Sequence, residues 1–598
     1  MRGMERRGSI YLATLIFELA VLAGGCTDDG ASEETSTEDP GSLCACRELD
    51  DGALECCFGH GECVDQPEGP RRCECDPGAR GETCSTPAPG VWSTRPRPCD
   101  GEDPGCAQVH DHVSVEVFDT CLDLEGTAFE SVIVRPADAE GGWPSPALDG
   151  GFPVAVLVHG ASQHASDYYD LLEHLAANDI VAAAFDGTVG QDVTFRANRT
   201  LSYLECLRSQ WPDADRLADR YALVGHSRGG SAVAVAAEAI AEGLAADGGE
   251  IAALVALAPT TKDQFPVTQA MTPAYLALSG ARDPDTRGAA LGWFDRAGAE
   301  DPSFVRSIVW IHGATHQRFH QGLLFANTGE QQASLSSEGH WAVARAYIGG
   351  FLQWQLLGRD ALRPTLSGAV VPDSVALHYA DEPGVHAGLR QAGLASLVVH
   401  DFDAEALSPS NVGGIVESTG LSTSLGELAE LDAPWSDSHR GRGLRLDWAA
   451  GDEAALRFEL PPELGDLSSF AAVSLGVGRV FDAPESCGEP GLLAALSLVL
   501  HDAEGSVELP LSELGAIGSV PAPDRLVPEV FGSWITPECH AQDFVRPLRV
   551  PLQLACDLGL DPTSVEAIEL HVDTSVAGGL LLDHLALERG GPEPAGCG

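Results

Sequence analysis

Basic residues are scarce in this chain of 598 residues. It has 35 lysines and arginines against 89 aspartates and glutamates, which gives a formal net charge of -54 at pH 7. Such a surface repels the phosphates of nucleic acids and the headgroups of anionic lipids, so we expect no nucleic-acid partner. High acidity on its own is explained most simply as a well-solvated surface.

Apolar runs long enough to cross a bilayer are missing outside the N-terminus. There, Arg2, Arg6 and Arg7 precede the apolar residues 10–23, and small residues lead to Cys26. A basic start, an apolar run and small residues before a cleavage point are the three parts of an export signal. The sequence therefore predicts an exported protein.

The small residues directly before Cys26 resemble the lipobox of bacterial lipoproteins, although Ala23 stands where that pattern usually has a large aliphatic residue. The resemblance implies removal of residues 1–25, lipidation of the Cys26 thiol and attachment to the cell envelope, at the outer membrane or cell surface. Ordinary signal cleavage and an uncleaved anchor are the alternatives. Residues 26–43 are acidic, rich in Ser, Thr and Gly and almost free of large apolar residues, which predicts a flexible tether.

Cysteines are numerous in this chain. The chain has 17, and setting Cys26 aside leaves 16, an even number. Disulfides are the expected state of such cysteines in an exported chain, and thiolate metal sites are not. We therefore expect neither a metal nor another cofactor.

Residues 44–84 hold eight cysteines in a segment too short for a core of its own, which predicts a disulfide-stapled module. The spacing of the last five resembles an EGF-like domain: Cys57, Cys63, Cys73, Cys75 and Cys84. The resemblance implies the pairs Cys75–Cys84 and Cys57–Cys73, with the partner of Cys63 open among Cys44, Cys46 and Cys56. A spacer and a protein-contact module both fit, and catalysis does not.

Residues 85–109 begin with a Pro-rich stretch that predicts a linker. The later cysteines are predicted to pair within two groups: Cys99 with Cys106 and Cys121 with Cys206, and then Cys487 with Cys539 and Cys556 with Cys597.

Between residues 110 and 358, apolar runs alternate with helical patterns, which predicts a mostly parallel sheet covered by helices on both faces. The predicted strands are 112–118, 129–134, 154–158, 180–185, 221–224, 251–257, 274–278 and 305–311. The first two are hairpin-like. In such a sheet, functional groups gather at the carboxyl ends of the strands.

The stretch Gly225-His226-Ser227-Arg228-Gly229 lies between a strand-like run and an alanine-rich helix. A serine on such a turn has its hydroxyl exposed at the top of a sheet, and a Cβ at the flanking glycines would collide with neighbouring backbone. Because G-x-S-x-G is a loose pattern, its context decides. The motif predicts Ser227 as a nucleophile and the Arg228 amide as an oxyanion donor.

A second oxyanion donor is expected at His159-Gly160-Ala161, directly after the strand at 154–158. An acyl-transfer site needs two converging N–H groups, and the Ala161 amide is the best placed; a plain glycine turn is the alternative. Tyr168 or Tyr169 on the next helix is a candidate for lining the acyl pocket, although core packing is the commoner use of such a tyrosine.

An orienting carboxylate and a general base follow the last two strands. Asp283 comes first after the strand at 274–278, with Asp285 as the alternative, and His316 lies in the loop after the last strand. His312, His316 and His320 stand four residues apart, but a strand end and a glycine break the helical spacing that a metal site would need. His340, in a later helical stretch, is expected to pack in the core.

The motifs at 159–160, 225–230, 280–283 and 313–316 together resemble the chlorophyllase, dienelactone hydrolase and polyester hydrolase branch of the α/β-hydrolases. The order Ser227, Asp283, His316 along the chain is the order of that superfamily. The resemblance implies a serine esterase that hydrolyses carboxylic esters. The rivals are an amidase or peptidase with the same triad, and a surface adhesion protein with a spent hydrolase core.

The sequence pattern changes in residues 370–598. Short segments with alternating apolar and polar residues recur between Gly and Pro turns, which predicts an all-β sandwich. The closing segment 567–587 resembles the last hairpin of galactose-binding-like jelly rolls. That resemblance implies carbohydrate binding, and a structural cap on the hydrolase fits equally. The expected architecture is thus multidomain, with a central α/β-hydrolase, a small EGF-like module and a C-terminal β-sandwich.

Overall fold

A computed structural model gives the fold of the protein. It describes residues 46–48, 54–56, 61–64, 72–75, 84, 86–95, 103–122, 126, 128–161, 163–186, 192–241, 250–260, 273–280, 283, 286, 289–297, 304–321, 335–379, 384–390, 396–431, 441–451, 453–480, 496–511, 545–575 and 577–589. Every element below lies in the compact unit Leu43–Gly598. Within the described ranges, no helix has the length and apolar character to span a membrane. The predicted signal, Cys26 and the tether lie outside them.

Two short hairpins form the cysteine-rich segment. Their strands are β1 (Cys46–Glu48), β2 (Leu54–Cys56), β3 (Gly61–Val64) and β4 (Arg72–Cys75), and β1 pairs with β2 and β3 with β4, both antiparallel. A Cys75–Cys84 disulfide closes the segment, which is the pairing that the EGF-like resemblance implies. Cys57 of the predicted Cys57–Cys73 pair lies outside the described residues. The EGF-like assignment stays a prediction.

A ten-stranded mixed sheet forms the centre of the protein. Its strands are β5 (Gly90–Ser93), β6 (His112–Val117), β7 (Ser131–Ala137), β8 (Phe152–Val158), β9 (Val181–Phe185), β10 (Leu217–His226), β11 (Glu250–Leu257), β12 (Ala274–Gly280), β13 (Arg306–Ile311) and β14 (Val385–Arg390). Their order is β14-β13-β12-β11-β10-β8-β9-β7-β6-β5. Neighbours from β9 to β13 are parallel, and the remaining pairs are antiparallel. All eight predicted strands are present.

Helices cover both faces of this sheet. They are α1 (Tyr169–Ala176), α2 (Val193–Gln210), α3 (Arg228–Ala241), α4 (Ala289–Arg296), α5 (Ser337–Val343), α6 (Gly350–Leu357), α7 (Arg363–Leu366) and α8 (Asp373–Ala376), with a π-helical turn at Ala344–Gly349. In β8, Ala155 and Leu157 join the core beneath α1 and α6, while Val154, Val156 and Val158 join the core beneath α2 and α3. Burial on both faces explains why β8 is apolar at every position.

Two strands of the sheet were not predicted. β5 falls in the predicted linker 85–109 and pairs with β6. β14 falls in the range assigned to the β-sandwich, but it pairs with β13 and extends the α/β sheet. Both are edge strands that pair on one side only, and β14 buries just Val385 and Ala387 as apolar core residues. Such short, weakly alternating segments carry little periodic signal.

The remaining strands make the C-terminal region β-rich. They are β15 (Ser396–His400), β16 (Val416–Thr419), β17 (Leu421–Glu427), β18 (Arg442–Trp448), β19 (Ala454–Glu459), β20 (Ala472–Arg479), β21 (Leu496–Asp502), β22 (Ser506–Pro510), β23 (Arg546–Pro551), β24 (Val565–Val572) and β25 (Gly578–Glu588), with short helices α9 (Leu428–Leu431) and α10 (Leu552–Asp557). They form a six-stranded and a five-stranded antiparallel sheet that share one buried apolar cluster. The jelly-roll assignment stays a prediction, as do the domain boundaries.

A Cys121–Cys206 disulfide, also predicted, ties α2 to the segment after β6. Cys106 and Cys556 are disulfide-bonded too. The other cysteines of the predicted pairs, namely Cys99, Cys487, Cys539 and Cys597, lie outside the described residues.

Candidate active site

Ser227 lies on a sharp turn between β10 and α3. Its φ of +55° is in the left-handed region, which a non-glycine residue adopts only when the surrounding structure enforces it. The turn is tight enough that a Cβ at Gly225 would stand 2.2 Å from the Gly229 carbonyl oxygen, and one at Gly229 would stand 2.0 Å from that of Val158. The glycines of the motif are therefore sterically required.

Ser227, His316 and Asp283 form one chain of hydrogen bonds. The Ser227 hydroxyl lies 2.9 Å from Nε2 of His316, and Nδ1 of His316 lies 2.8 Å from Oδ2 of Asp283. All three side chains are buried. They come from the ends of β10, β12 and β13, as predicted from the sequence. Asp285, the alternative carboxylate, lies outside the described residues.

Asp283 is held as a carboxylate. Burial would raise its pKa, but the adjacent His316 and the hydrogen bonds from Thr286 outweigh this and lower the pKa below its ordinary value. The Thr286 amide donates to Oδ1 at 3.0 Å and the Thr286 hydroxyl to Oδ2 at 2.6 Å. An ionised carboxylate at Nδ1 fixes the tautomer of His316 that leaves Nε2 facing the Ser227 hydroxyl.

The two predicted oxyanion donors, Arg228 and Ala161, follow β10 and β8, which are neighbouring strands of the sheet. The Arg228 amide is the first of α3, so it has no acceptor within the helix and lies at the positive end of the helix dipole. Ala161 follows β8 in a turn whose backbone is fixed by side chains. There, the Gly160 amide donates to Oε1 of Gln163 at 2.8 Å, and Nη1 of Arg196 donates to the His159 carbonyl at 2.8 Å.

Buried imidazoles surround the Ser227–His316 pair. Burial is the main cause that lowers the pKa of His159 to about 4 and those of His320 and His340 to about 3. Burial, together with the neighbouring histidines, also lowers the pKa of His226 well below 6.5. These rings are neutral at pH 7, so each offers one donor and one acceptor nitrogen.

His312, His316 and His320 have different neighbours. The His312 ring packs against His386 of β14, whereas the rings of His316 and His320 lie 5.0 and 6.0 Å from that of His226. Across the described ranges, no group of three His, Cys, Asp or Glu side chains is arranged to hold a metal ion.

Several side chains of the site were not predicted. Arg196 supports the His159–Gly160 turn, Thr286 binds Asp283, and His340, expected to serve only as packing, binds the loop of His316. Tyr168, a candidate pocket residue, is almost fully buried and bonds to His226 at 2.7 Å. Position along the chain is the only sequence signal for Tyr168 and His226: Tyr168 follows the predicted oxyanion turn, and His226 directly precedes Ser227.

Comparison with known proteins bears on the same part of the chain. No curated protein matches it. Residues 143–280 match the Chlorophyllase family, which is of the α/β-hydrolase type. The matched segment runs from just before β8 to the end of β12, so it includes the Ser227 turn and stops short of Asp283 and His316. The match indicates a hydrolase of the esterase kind.

Proposed function

We propose that this protein is a serine hydrolase that cleaves carboxylic esters through an acyl-enzyme. The observation that carries the proposal is the buried chain of hydrogen bonds from Ser227 through His316 to Asp283. A nucleophile that is bonded to a base, which is in turn oriented by a third group, is the arrangement that covalent catalysis by serine requires. The Chlorophyllase match supports esters as the substrate class.

In this mechanism, Nε2 of His316 accepts the Ser227 proton as Oγ attacks the ester carbonyl. The carbonyl oxygen becomes an oxyanion, which the Ala161 and Arg228 amides bind. The imidazolium is stabilised by the Asp283 carboxylate and then gives its proton to the leaving alcohol as the C–O bond breaks. Water, deprotonated by His316 in the same way, attacks the acyl-enzyme and releases the acid and Ser227.

The rest of the chain is proposed to place this activity at a cell envelope. Residues 1–25 would direct export, the lipidated Cys26 would attach the protein to a bacterial membrane, and residues 26–43 would act as a tether. The cysteine-rich module at 44–84 and the β-rich region would then contact protein or carbohydrate beside the substrate. Metabolic labelling with a fatty-acid analogue, lost in Cys26→Ala, would test the anchor.

The catalytic proposal is tested by Ser227→Ala. Removing a triad nucleophile is expected to lower kcat on the order of 10⁶-fold with the fold intact. A fluorophosphonate probe should label the wild-type serine and not the variant, while p-nitrophenyl esters of increasing chain length report turnover.

Ser231→Ala is the matched control. Ser231 lies one turn along α3, and its hydroxyl donates to the Thr260 carbonyl at 2.9 Å. We expect this variant to keep its turnover and its labelling. Full ester hydrolysis by folded Ser227→Ala would contradict the proposal.

A further inference from the structure

The general base lies in a loop whose backbone is held from several sides. His316 follows β13 after a turn at Gly313, whose φ is +72°. The Gly313 carbonyl accepts from the Leu335 amide at 3.2 Å. A Cβ at Gly280 would stand 2.5 Å from the Ala314 carbonyl oxygen, so the end of β12 packs directly on this loop. Two histidines add further contacts, one to the Thr315 amide and one to the His316 carbonyl.

His340 of α5 holds the N-terminal side. Its Nε2 lies 3.0 Å from the Thr315 amide, and its Nδ1 lies 2.8 Å from the Ser336 carbonyl oxygen. Because a carbonyl only accepts, Nδ1 must carry the proton, and Nε2 is the acceptor for the Thr315 N–H. The ring is fully buried, and burial lowers its pKa to about 3, so this tautomer persists in neutral solution.

His226 of β10 holds the C-terminal side. Its Nε2 lies 3.0 Å from the carbonyl oxygen of His316 itself, so Nε2 must carry the proton. Its Nδ1 lies 2.7 Å from the Tyr168 hydroxyl oxygen and 3.0 Å from Oε1 of Gln163, to which that hydroxyl donates. The His226 ring stands 5.0 Å from the His316 ring. The residue that precedes the nucleophile thus binds the backbone of the base.

We propose that His226 and His340 are positioning residues that hold the backbone of His316, and we call the pair the histidine clamp. The backbone dihedrals of Thr315 and His316 lie between the two anchored groups. A rotation about any of them would swing the imidazole away from both the Ser227 hydroxyl and Asp283. The inference rests on the proposed function, because holding the His316 backbone matters for catalysis only if His316 is the general base.

Core packing alone does not account for these residues. Each ring buries two polar nitrogens, and burying such a group without a partner costs about 1–3 kcal/mol. Here both nitrogens of each ring have a partner, and the partners on the loop side are the backbone groups that flank the base. A phenylalanine would fill the same space but would remove the bond between the ring and the Thr315 amide, or between the ring and the His316 carbonyl.

The test compares two substitutions at each position. His340→Phe and His226→Phe remove the bond, while His340→Gln and His226→Gln keep an amide group near Nε2 that accepts from Thr315 or donates to His316. His174→Gln, in the buried face of α1, is the control for losing a buried histidine. Sites are first counted by fluorophosphonate labelling, so that kcat refers to folded enzyme, and kcat and KM are then measured on a p-nitrophenyl ester.

We expect each Phe variant to lose on the order of 10- to 100-fold in kcat per labelled site, because displacing a catalytic group by about 1 Å costs up to 100-fold. KM should change little, and the Gln variants should recover most of kcat. Phe variants with wild-type kcat per labelled site would overturn the clamp and leave the proposed function standing. A wild-type protein that neither reacts with the probe nor hydrolyses esters would overturn both.

Discussion

Acid should destabilise this protein well before its carboxylates are protonated, because unfolding exposes buried histidines that then take up protons. His159 has its pKa lowered to about 4, and His320 and His340 have theirs lowered to about 3, from the ordinary 6.5. Between those values the unfolded chain binds protons that the folded protein excludes. Stability is therefore complete above about pH 6.5 and falls as the pH drops towards the folded-state pKa values.

The magnitude follows from the number of protons. One proton taken up on unfolding changes the free energy of unfolding by about 1.4 kcal/mol per pH unit. These three groups together predict a loss of up to about 4 kcal/mol per unit across the window from about pH 6 to about pH 4.5. Asp283 acts in the same direction at lower pH, because its folded-state pKa is lowered and its contribution disappears as the pH falls through that value.

Urea unfolding followed by tryptophan fluorescence at several pH values measures this slope. Trp293 and Trp310 are both buried in the core of the hydrolase and report on its unfolding. His320→Gln removes one of the three groups, so its slope should be smaller by about 1.4 kcal/mol per pH unit. If the variant and the wild type have the same slope, or if stability does not depend on pH in this window, the reasoning is wrong.

Two further substitutions test the triad and the contact of the α/β sheet with the β-rich region. Asp283→Asn should lower kcat about 10⁴-fold, because it allows the wrong His316 tautomer. Asp285→Asn should change kcat little when the two variants have matched thermal stability. The reverse outcome would move the assignment to Asp285. Asp583→Ala should cost about 3 kcal/mol of stability in urea unfolding, because it removes the buried carboxylate that pairs with the half-buried Arg390 of β14. Asp447→Ala, which breaks the more exposed pair with Arg445, is its control and should cost less than about 1 kcal/mol. Equal losses would contradict the burial argument.

The central sheet was predictable because strands that are buried on both faces are apolar at nearly every position. The strands of the parallel centre are runs of apolar residues between helical patterns, and all of them were found near their predicted positions. The proposed catalytic side chains come shortly after such runs, where the topology of a parallel sheet brings them together. Ser227, Asp283 and His316 could therefore be brought together without any knowledge of distances.

The edges of the sheet could not be predicted in the same way. β14 looks like one of the short strands of the β-rich region, and only its pairing with β13 assigns it to the hydrolase. Local sequence does not determine which of two neighbouring sheets an edge strand joins. Long-range contacts determine it. β14 pairs with β13. It also lies against β23 of the other sheet, since a Cβ at Gly388 would stand 2.1 Å from Cγ of Pro547.

The histidine clamp shows a different limit of sequence analysis. In a helical stretch, His340 has the pattern of any buried residue, and His226 occupies a variable position of the G-x-S-x-G motif. What distinguishes them is the tautomer of each ring, and the backbone partners fix it: the Ser336 carbonyl places the proton of His340 on Nδ1, and the His316 carbonyl places that of His226 on Nε2. One ring therefore accepts and the other donates, and the loop between them presents one group of each kind. A pattern of residue types carries neither the tautomers nor the partners, so the supports of a catalytic base are harder to predict than the base itself.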